Sequence, residues 1–176
     1  RSPSRGLGDV YKGQVYGGDR TTLVPPAGGT TTTTVFDARG HTTALWSYTS
    51  APAITGNQVT GGTHLDTGYR YNTADQLDRI TDPSGRPYTY TYDLAGRVTQ
   101  QTDPDTGTTT RTYNDTGDLL TITGARGTTL TYSYDSLARP TTLTSGPGTT
   151  ALAAWTYDTL QPVSYTHLTL PTNREG

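Results

Sequence analysis

The stretch that decides the fold is Tyr88-Thr-Tyr-Thr-Tyr92-Asp93-Leu-Ala-Gly96-Arg97-Val98-Thr-Gln-Gln-Thr102. Tyrosine and threonine alternate over its first five residues, and this period of two predicts a β-strand with one aromatic face and one hydroxyl face. Asp93 can accept hydrogen bonds from the backbone that follows it, and Gly96 tolerates a positive φ, so the chain should turn here. Val98 to Thr102 is then expected to return as a second strand. The stretch therefore predicts a β-hairpin.

The same pattern recurs along the chain. Tyrosine followed by aspartate or asparagine occurs at positions 71, 92, 113 and 134, at a constant spacing of 21 residues, and again at 157. An earlier unit is visible at Phe36-Asp37. The structural positions of the repeat are predicted to be Tyr71, Asn72, Tyr92, Asp93, Gly96, Arg97, Tyr113, Asn114, Gly117, Tyr134, Asp135, Arg139, Tyr157 and Asp158.

This short period constrains the fold class. Two strands in 21 residues leave no room for a crossover helix, so neighbouring strands should be antiparallel. A single hairpin is marginally stable in water, and stacking hairpins edge to edge buries the tyrosines and pairs the strands. We therefore predict an all-β fold of repeated antiparallel β-hairpins, stacked as a spiralled, solenoid-like sheet.

The composition excludes several classes of protein. Hydrophobic residues make up 30% of the 176 residues, whereas about 45–50% is typical of globular domains. There is no cysteine for a disulfide or a thiolate metal site, and a net charge of −2 gives no basic field for nucleic acid. No apolar stretch is long enough to predict a membrane span. The low net charge also argues against ordinary disorder.

The two ends of the chain differ from its interior. The only lysine is Lys12 and the only glutamate is Glu175. Residues 1–14 and 162–176 share no pattern with the repeats, and we expect them to be non-native segments that resemble translated adapter sequence, with native linkers as the alternative. Residues 15–34 are predicted to be a linker or a degenerate repeat, and residues 35–161 to hold the repeats.

The repeat resembles the YD-repeat, or Rhs, family. Tyr90-Thr-Tyr-Asp-Leu-Ala-Gly-Arg-Val-Thr-Gln-Gln-Thr-Asp-Pro104 matches the family pattern nearly throughout, and Tyr132-Ser-Tyr-Asp-Ser-Leu-Ala-Arg139 matches it with Ala138 in place of the glycine. In other units Asp75 replaces the glycine and Asp118 replaces the arginine. The resemblance covers residues 35 to 160.

The resemblance implies a long β-sheet that spirals into a hollow shell. Such shells occur in bacterial polymorphic toxins, insecticidal toxin complexes and teneurin-like surface proteins, and in toxins they enclose a cytotoxic C-terminal domain. The implied partners of this chain are neighbouring repeats of its parent and an enclosed toxin domain. The implied location of the parent is secreted or at the cell surface.

The sequence gives only weak evidence for catalytic or metal-binding residues. An aspartate that recurs every 21 residues points to a turn, whereas a catalytic carboxylate pair would occur once, so we predict no catalytic residue and no enzyme activity. The segment from Asp103 to Gly107 resembles the start of a calcium loop, but no glutamate follows at the required distance. We predict no metal and no cofactor.

Carbohydrate binding is the alternative function. Aromatic rings that line a surface could stack on sugars in a cell-surface adhesion module, or they could simply form the packing column of the repeat. The candidate stacking residues are Tyr88, Tyr90, Tyr132 and Trp155.

Overall fold

The structure is a computed structural model that describes residues 13–26, 28–146 and 151–157. Within these ranges every regular element is a β-strand, so the predicted all-β class is confirmed. None of the described residues form a helix that could cross a membrane. The strands are β1 Gly13–Gly17, β2 Arg20–Val24, β3 Thr32–Phe36, β4 Thr42–Tyr48, β5 Ala53–Thr55, β6 Gln58–Thr60, β7 His64–Tyr71, β8 Leu77–Thr81, β9 Pro87–Tyr92, β10 Val98–Asp103, β11 Gly107–Tyr113, β12 Leu119–Thr123, β13 Thr129–Tyr134, β14 Pro140–Ser145 and β15 Ala151–Ala154.

Thirteen of these strands form one antiparallel sheet. Their order across the sheet is β1-β2-β3-β4-β7-β8-β9-β10-β11-β12-β13-β14-β15, which follows the chain except that β4 pairs with β7 and the β5–β6 hairpin between them forms a separate two-stranded sheet. The sheet is not closed, and β1 and β15 are its outer strands among the described residues. The end of β1, all of β2 and the start of β3 lie in the segment 15–34.

The two faces of the sheet differ in chemistry, as the alternation of tyrosine and threonine predicts. Residues directly opposite each other share a face, and Tyr69, Ile80 and Tyr88 form one such row across β7, β8 and β9. The aromatic face of β7 to β14 includes Tyr69, Ile80, Tyr88, Tyr90, Ile122, Leu130, Tyr132 and Leu143, together with the polar residues Gln101, Thr109 and Arg111. The hydroxyl face comprises Thr89, Thr91, Thr102, Thr108, Thr110, Thr112, Thr121, Thr123, Thr129, Thr131, Thr142 and Thr144.

The sheet is a single layer without an apolar core. No hydrophobic side chain is buried among the described residues, and the two fully buried side chains are Thr22 and Thr33. Their hydroxyls are 2.6 Å apart, and Thr33 Oγ1 lies 3.3 Å from the Tyr48 hydroxyl. The β5–β6 hairpin contacts the sheet at β1, where a Cβ on Gly17 would lie 3.4 Å from the Asn57 carbonyl oxygen. The order of the remaining strands must come from strand pairing, cross-strand contacts and the turns.

One insertion interrupts the repeat. Phe36 and Tyr71 are 35 residues apart instead of 21, and the extra residues form the β5–β6 hairpin between β4 and β7. The base of the hairpin is closed by Thr49, whose backbone N–H donates to the Thr63 carbonyl at 2.8 Å. Gly62, with a φ of 77°, fits tightly here, because a Cβ would lie 2.9 Å from the Ser50 carbonyl oxygen. The insertion thus sits at the sheet edge opposite the repeat tyrosines.

Candidate functional site

The candidate functional site is the edge of the sheet where the repeat tyrosines lie. Strands β7, β9, β11 and β13 each end on one of these tyrosines, β3 ends on Phe36, and the next strand in the sheet begins six residues later. Alternate turns of an antiparallel meander lie at the same edge, so these turns come together. We call this the tyrosine edge, and it comprises the turns 37–41, 72–76, 93–97, 114–118 and 135–139.

The turn 93–97 shows how the aspartate organises the backbone. Asp93 Oδ1 accepts hydrogen bonds from the N–H groups of Ala95 at 3.0 Å and Arg97 at 2.9 Å. The Gly96 N–H donates to the Asp93 carbonyl at 3.0 Å, which closes the turn. Gly96 has a φ of 81°, which confirms the predicted positive φ. Asp135 makes the equivalent bonds in its own turn.

The second side-chain atom of the aspartate pairs with the residue four positions later. Asp93 Oδ2 accepts from Arg97 Nε at 2.7 Å, and Asp135 Oδ2 accepts from Arg139 Nε at 2.7 Å. In the turn 37–41, His41 Nδ1 takes the place of the arginine, 3.0 Å from Asp37 Oδ2. Each of these turns therefore joins a carboxylate to a side-chain nitrogen.

Where asparagine replaces the aspartate, the direction of this hydrogen bond reverses. Asn72 Nδ2 donates to Gln76 Oε1 at 2.9 Å, and Asn114 Nδ2 donates to Asp118 Oδ2 at 2.8 Å. Asp118 looked like a departure from the repeat pattern in the sequence. It is instead the acceptor that the amide of Asn114 requires.

The tyrosine hydroxyls connect each repeat to the one before it. The hydroxyl of Tyr92 donates to the Leu77 carbonyl at 2.6 Å, that of Tyr113 to Val98 at 2.9 Å, and that of Tyr134 to Leu119 at 2.8 Å. Each acceptor is the first residue after the preceding turn and lies at a register shift of the strand pair. A bulge disrupts the ladder locally, and the next tyrosine supplies a donor at that point.

In three of the five turns, the last residue also contacts the ring of the next repeat. The Arg97 guanidinium carbon lies 4.6 Å from the Tyr113 ring centroid, and that of Arg139 lies 4.4 Å from the Tyr157 ring centroid. The His41 ring stacks on Tyr71 with centroids 4.5 Å apart. Such cation–π and stacking contacts favour a fixed spacing between repeats.

These contacts shift the ionisation of the site. The backbone N–H of Arg97, with the Arg97 guanidinium, lowers the pKa of Asp93, and Arg139 lowers the pKa of Asp135 in the same way. Burial raises the pKa of Tyr134, with the Asp118 carboxylate as a smaller cause. The turns therefore hold charged aspartates and neutral tyrosines at ordinary pH.

The structure places the predicted repeat residues at this edge as far as Tyr157, whereas Asp158 lies outside the described residues. Sequence reasoning did not identify Gln76, Asp118 and His41 as turn partners, although the spacing of four from each aspartate or asparagine carries that signal. It predicted the turns at Asp82 and Asp103 on the opposite edge but not the ion pairs there, where Arg86 bridges Asp82 and Asp105 at 2.8 and 2.6 Å.

The candidate glycan-stacking residues separate into two groups. Tyr88, Tyr90 and Tyr132 lie half-buried on the aromatic face, and Trp155 lies beyond β15 with 40% of its surface exposed. Their role in sugar binding stays a prediction. In the described part of the chain, no cluster of three or more histidine, aspartate or glutamate residues could hold a metal ion.

The fold and the site define a class of protein: a β-repeat protein in which a single-layer sheet is ordered by tyrosines and turn side chains. The family model described as RHS Repeat matches residues 71–108 and 113–151. The matched residues are similar to the RHS repeat family, which confirms the resemblance found in the sequence. No curated protein matches the sequence significantly.

Several solved structures are similar to this fold. They include the Tc holotoxin pore of Photorhabdus luminescens, with a TM-score of 0.62, and the TcdB2–TccC3 complex, with a TM-score of 0.63. A TcdB2–TccC3 structure without the hypervariable C-terminal region has a TM-score of 0.62. In all three the identity is 18%, and the match covers 78% of this chain and 8% of the other. The likeness is thus one of fold, and this chain spans a small part of the length of those proteins.

Proposed function

We propose that this chain is a structural segment of the shell of a large, secreted or surface-delivered bacterial Rhs-type protein, and that the shell encloses a C-terminal toxin domain. The observation that carries the proposal is the tyrosine edge, where the same turn, hydroxyl bond and ring contact recur from repeat to repeat. A catalytic site would instead be singular. We therefore assign the segment a structural role, as part of the wall of the shell.

The single-layer sheet supports this role. Among the described residues it has no buried hydrophobic side chain, and each of its two outer strands has one edge that no strand pairs with. Such a sheet gains stability when further hairpins extend it at each outer strand. The 8% coverage of the similar toxin proteins agrees with a short stretch of a much longer wall.

The comparison with the TcdB2–TccC3 structure that lacks the hypervariable C-terminal region supports the proposal that this segment is part of the shell and not of the enclosed domain. A structure that lacks the hypervariable C-terminal region still matches with a TM-score of 0.62. The likeness therefore does not depend on that region. We infer that this segment corresponds to the constant part of such a protein.

The test uses the parent protein with its complete gene. Replacing Tyr92 and Tyr113 with alanine should open the wall and make the C-terminal region sensitive to added protease, whereas Thr110→Ala on the hydroxyl face should leave it protected. Proteolysis followed by mass spectrometry measures this. The proposal fails if the parent has no further repeats, or if the C-terminal region is equally sensitive in the unmodified protein.

Glycan binding is a second candidate, favoured by the placement of Tyr88, Tyr90 and Tyr132 on one face of the sheet. A variant with Tyr88→Ala and Tyr90→Ala spares the tyrosine edge, so it should keep the fold and lose binding on a glycan array. An unmodified chain that binds no glycan would eliminate this candidate.

A further inference from the structure

Two arginines face each other on the hydroxyl face of the sheet. Arg70 of β7 and Arg79 of β8 are direct cross-strand partners. Like charges directly opposite each other destabilise an antiparallel pair. A pair of this kind therefore suggests that an anion normally lies between or beside the two side chains.

One of the two charges is already compensated. Arg70 donates from Nε and Nη2 to the two carboxylate oxygens of Asp78, at 2.9 and 3.0 Å. Arg79 is half-buried, and within the described ranges it has no hydrogen bond, ion pair or ring contact. A partly desolvated cation without a partner is unfavourable. Within the group formed by Arg70, Asp78 and Arg79, the positive charge of Arg79 is therefore not paired with a carboxylate.

A hollow lies beside this charge. It has a volume of about 300 Å³ and is lined by Thr43, Gly68, Tyr69, Arg70, Arg79 and Thr81. A Cβ built on Gly68 would meet nothing within 4 Å, so the absence of a side chain at this position leaves the space open. Thr81 is the direct cross-strand partner of Gly68 and brings a hydroxyl to the same face.

We propose that this hollow is an oxyanion-binding site. The donors are the Arg79 guanidinium, the Nη1 of Arg70 that Asp78 leaves unused, and the Thr81 hydroxyl. Guanidinium groups bind sulfate, phosphate and carboxylate through charge-assisted hydrogen bonds. The unpaired guanidinium of Arg79 matches an oxyanion, such as sulfate, a sulfate ester or a carboxylate. Asp66, two residues before Gly68 on the same face, opposes the anion.

Equilibrium dialysis of the full chain against radiolabelled sulfate, or against acetate, tests the proposal at low ionic strength, and it works whether the chain is monomeric or assembled. We expect saturable binding of one anion per chain. Arg79→Gln should weaken it about tenfold, the equivalent of one charge-assisted hydrogen bond. Tighter binding of sulfate would indicate a sulfate ester as the natural group, and tighter binding of acetate would indicate a carboxylate.

Three further variants separate this site from a general charge effect. Gly68→Val fills the hollow while it keeps both arginines, so binding should be lost with the fold intact. Asp66→Asn should strengthen binding by removing a repulsive charge. Arg126→Gln removes an exposed arginine of the turn 124–128 and should change nothing. The proposal is overturned if the chain binds no anion saturably, if Arg126→Gln weakens binding as much as Arg79→Gln, or if Gly68→Val leaves binding intact.

Discussion

Ala138 occupies a backbone conformation that favours glycine, and replacing it with glycine should stabilise its turn. Its φ is 60°, and the equivalent residue of the turn 93–97 is Gly96, with a φ of 81°. A non-glycine residue in this left-handed region costs roughly 1–2 kcal/mol, whereas glycine loses about 0.4–1 kcal/mol more backbone entropy on folding. The difference predicts a net gain of about 1 kcal/mol for Ala138→Gly.

Hydrogen exchange measures this gain locally, without requiring the whole chain to unfold in one step. The reporter is the backbone N–H of Arg139, which donates to Asp135 Oδ1 at 3.0 Å in the closed turn. A gain of about 1 kcal/mol should slow its exchange about fivefold. Exchange that is unchanged or faster in Ala138→Gly would refute the reasoning.

Ala95→Gly is the matched control, because it is the same chemical change in the related turn at a residue whose φ is not positive. No strain is relieved there, so the entropy loss remains and the turn should weaken by about 0.5–1 kcal/mol. The Arg97 N–H, which donates to Asp93 Oδ1 at 2.9 Å, should then exchange faster. The two substitutions must therefore have opposite signs if backbone conformation is the cause.

Three further predictions address the side chains of the tyrosine edge. The pKa of Asp93 in the folded chain is lowered from its ordinary value of 3.8, so the contacts of its carboxylate stabilise the fold above pH 3.8. This stabilisation is lost as the pH falls through the lower pKa of the folded state. A midpoint at or above 3.8 in an NMR titration of Asp93 would contradict this. Tyr113→Phe removes the 2.9 Å hydrogen bond to the Val98 carbonyl and should destabilise its repeat by about 1 kcal/mol, measured by hydrogen exchange. The control Tyr90→Phe should leave the stability unchanged. Equal effects of the two substitutions would contradict the link through the Tyr113 hydroxyl. Asn114→Asp should weaken its turn by opposing two carboxylates, and adding Asp118→Arg should restore it; no rescue in thermal unfolding would contradict donor and acceptor matching.

The fold could be predicted from the sequence because its signal repeats. The alternation at Tyr88 to Tyr92 predicts both strand and face, and the 21-residue spacing predicts antiparallel neighbours without any long-range information. The structure has β9 at Pro87–Tyr92 and β10 at Val98–Asp103, close to the predicted strands. Local propensity and tertiary pairing agree here, which is why the sequence is informative.

The links between repeats could not be predicted in the same way. The hydrogen bond from the Tyr113 hydroxyl to the Val98 carbonyl depends on a register shift in the strand pair, and sequence spacing does not reveal a bulge. The contact of Arg97 with the Tyr113 ring likewise depends on the distance between turns across two strands. The opposed pair Arg70 and Arg79 is visible only once the register of β7 and β8 is known.

The structure also explains how the repeat tolerates variation in length. Phe36 and Tyr71 are 35 residues apart, and Tyr134 and Tyr157 are 23 residues apart. The ring centroids of His41 and Tyr71 nevertheless lie 4.5 Å apart, and the Arg139 guanidinium carbon lies 4.4 Å from the Tyr157 ring centroid. For Tyr71 the extra residues emerge between β4 and β7, at the edge away from the tyrosines. In the turn 93–97, Asp93 bonds to the backbone of Ala95, Gly96 and Arg97 and to the Arg97 side chain, so an insertion there would break the link to the next repeat. The opposite edge carries no such constraint in this unit. The turn 82–86 at the opposite edge makes the same bonds as the turn 93–97, so that edge is also ordered in places. Between β4 and β7, however, it accommodates an inserted hairpin without disturbing the five-residue turns of the tyrosine edge.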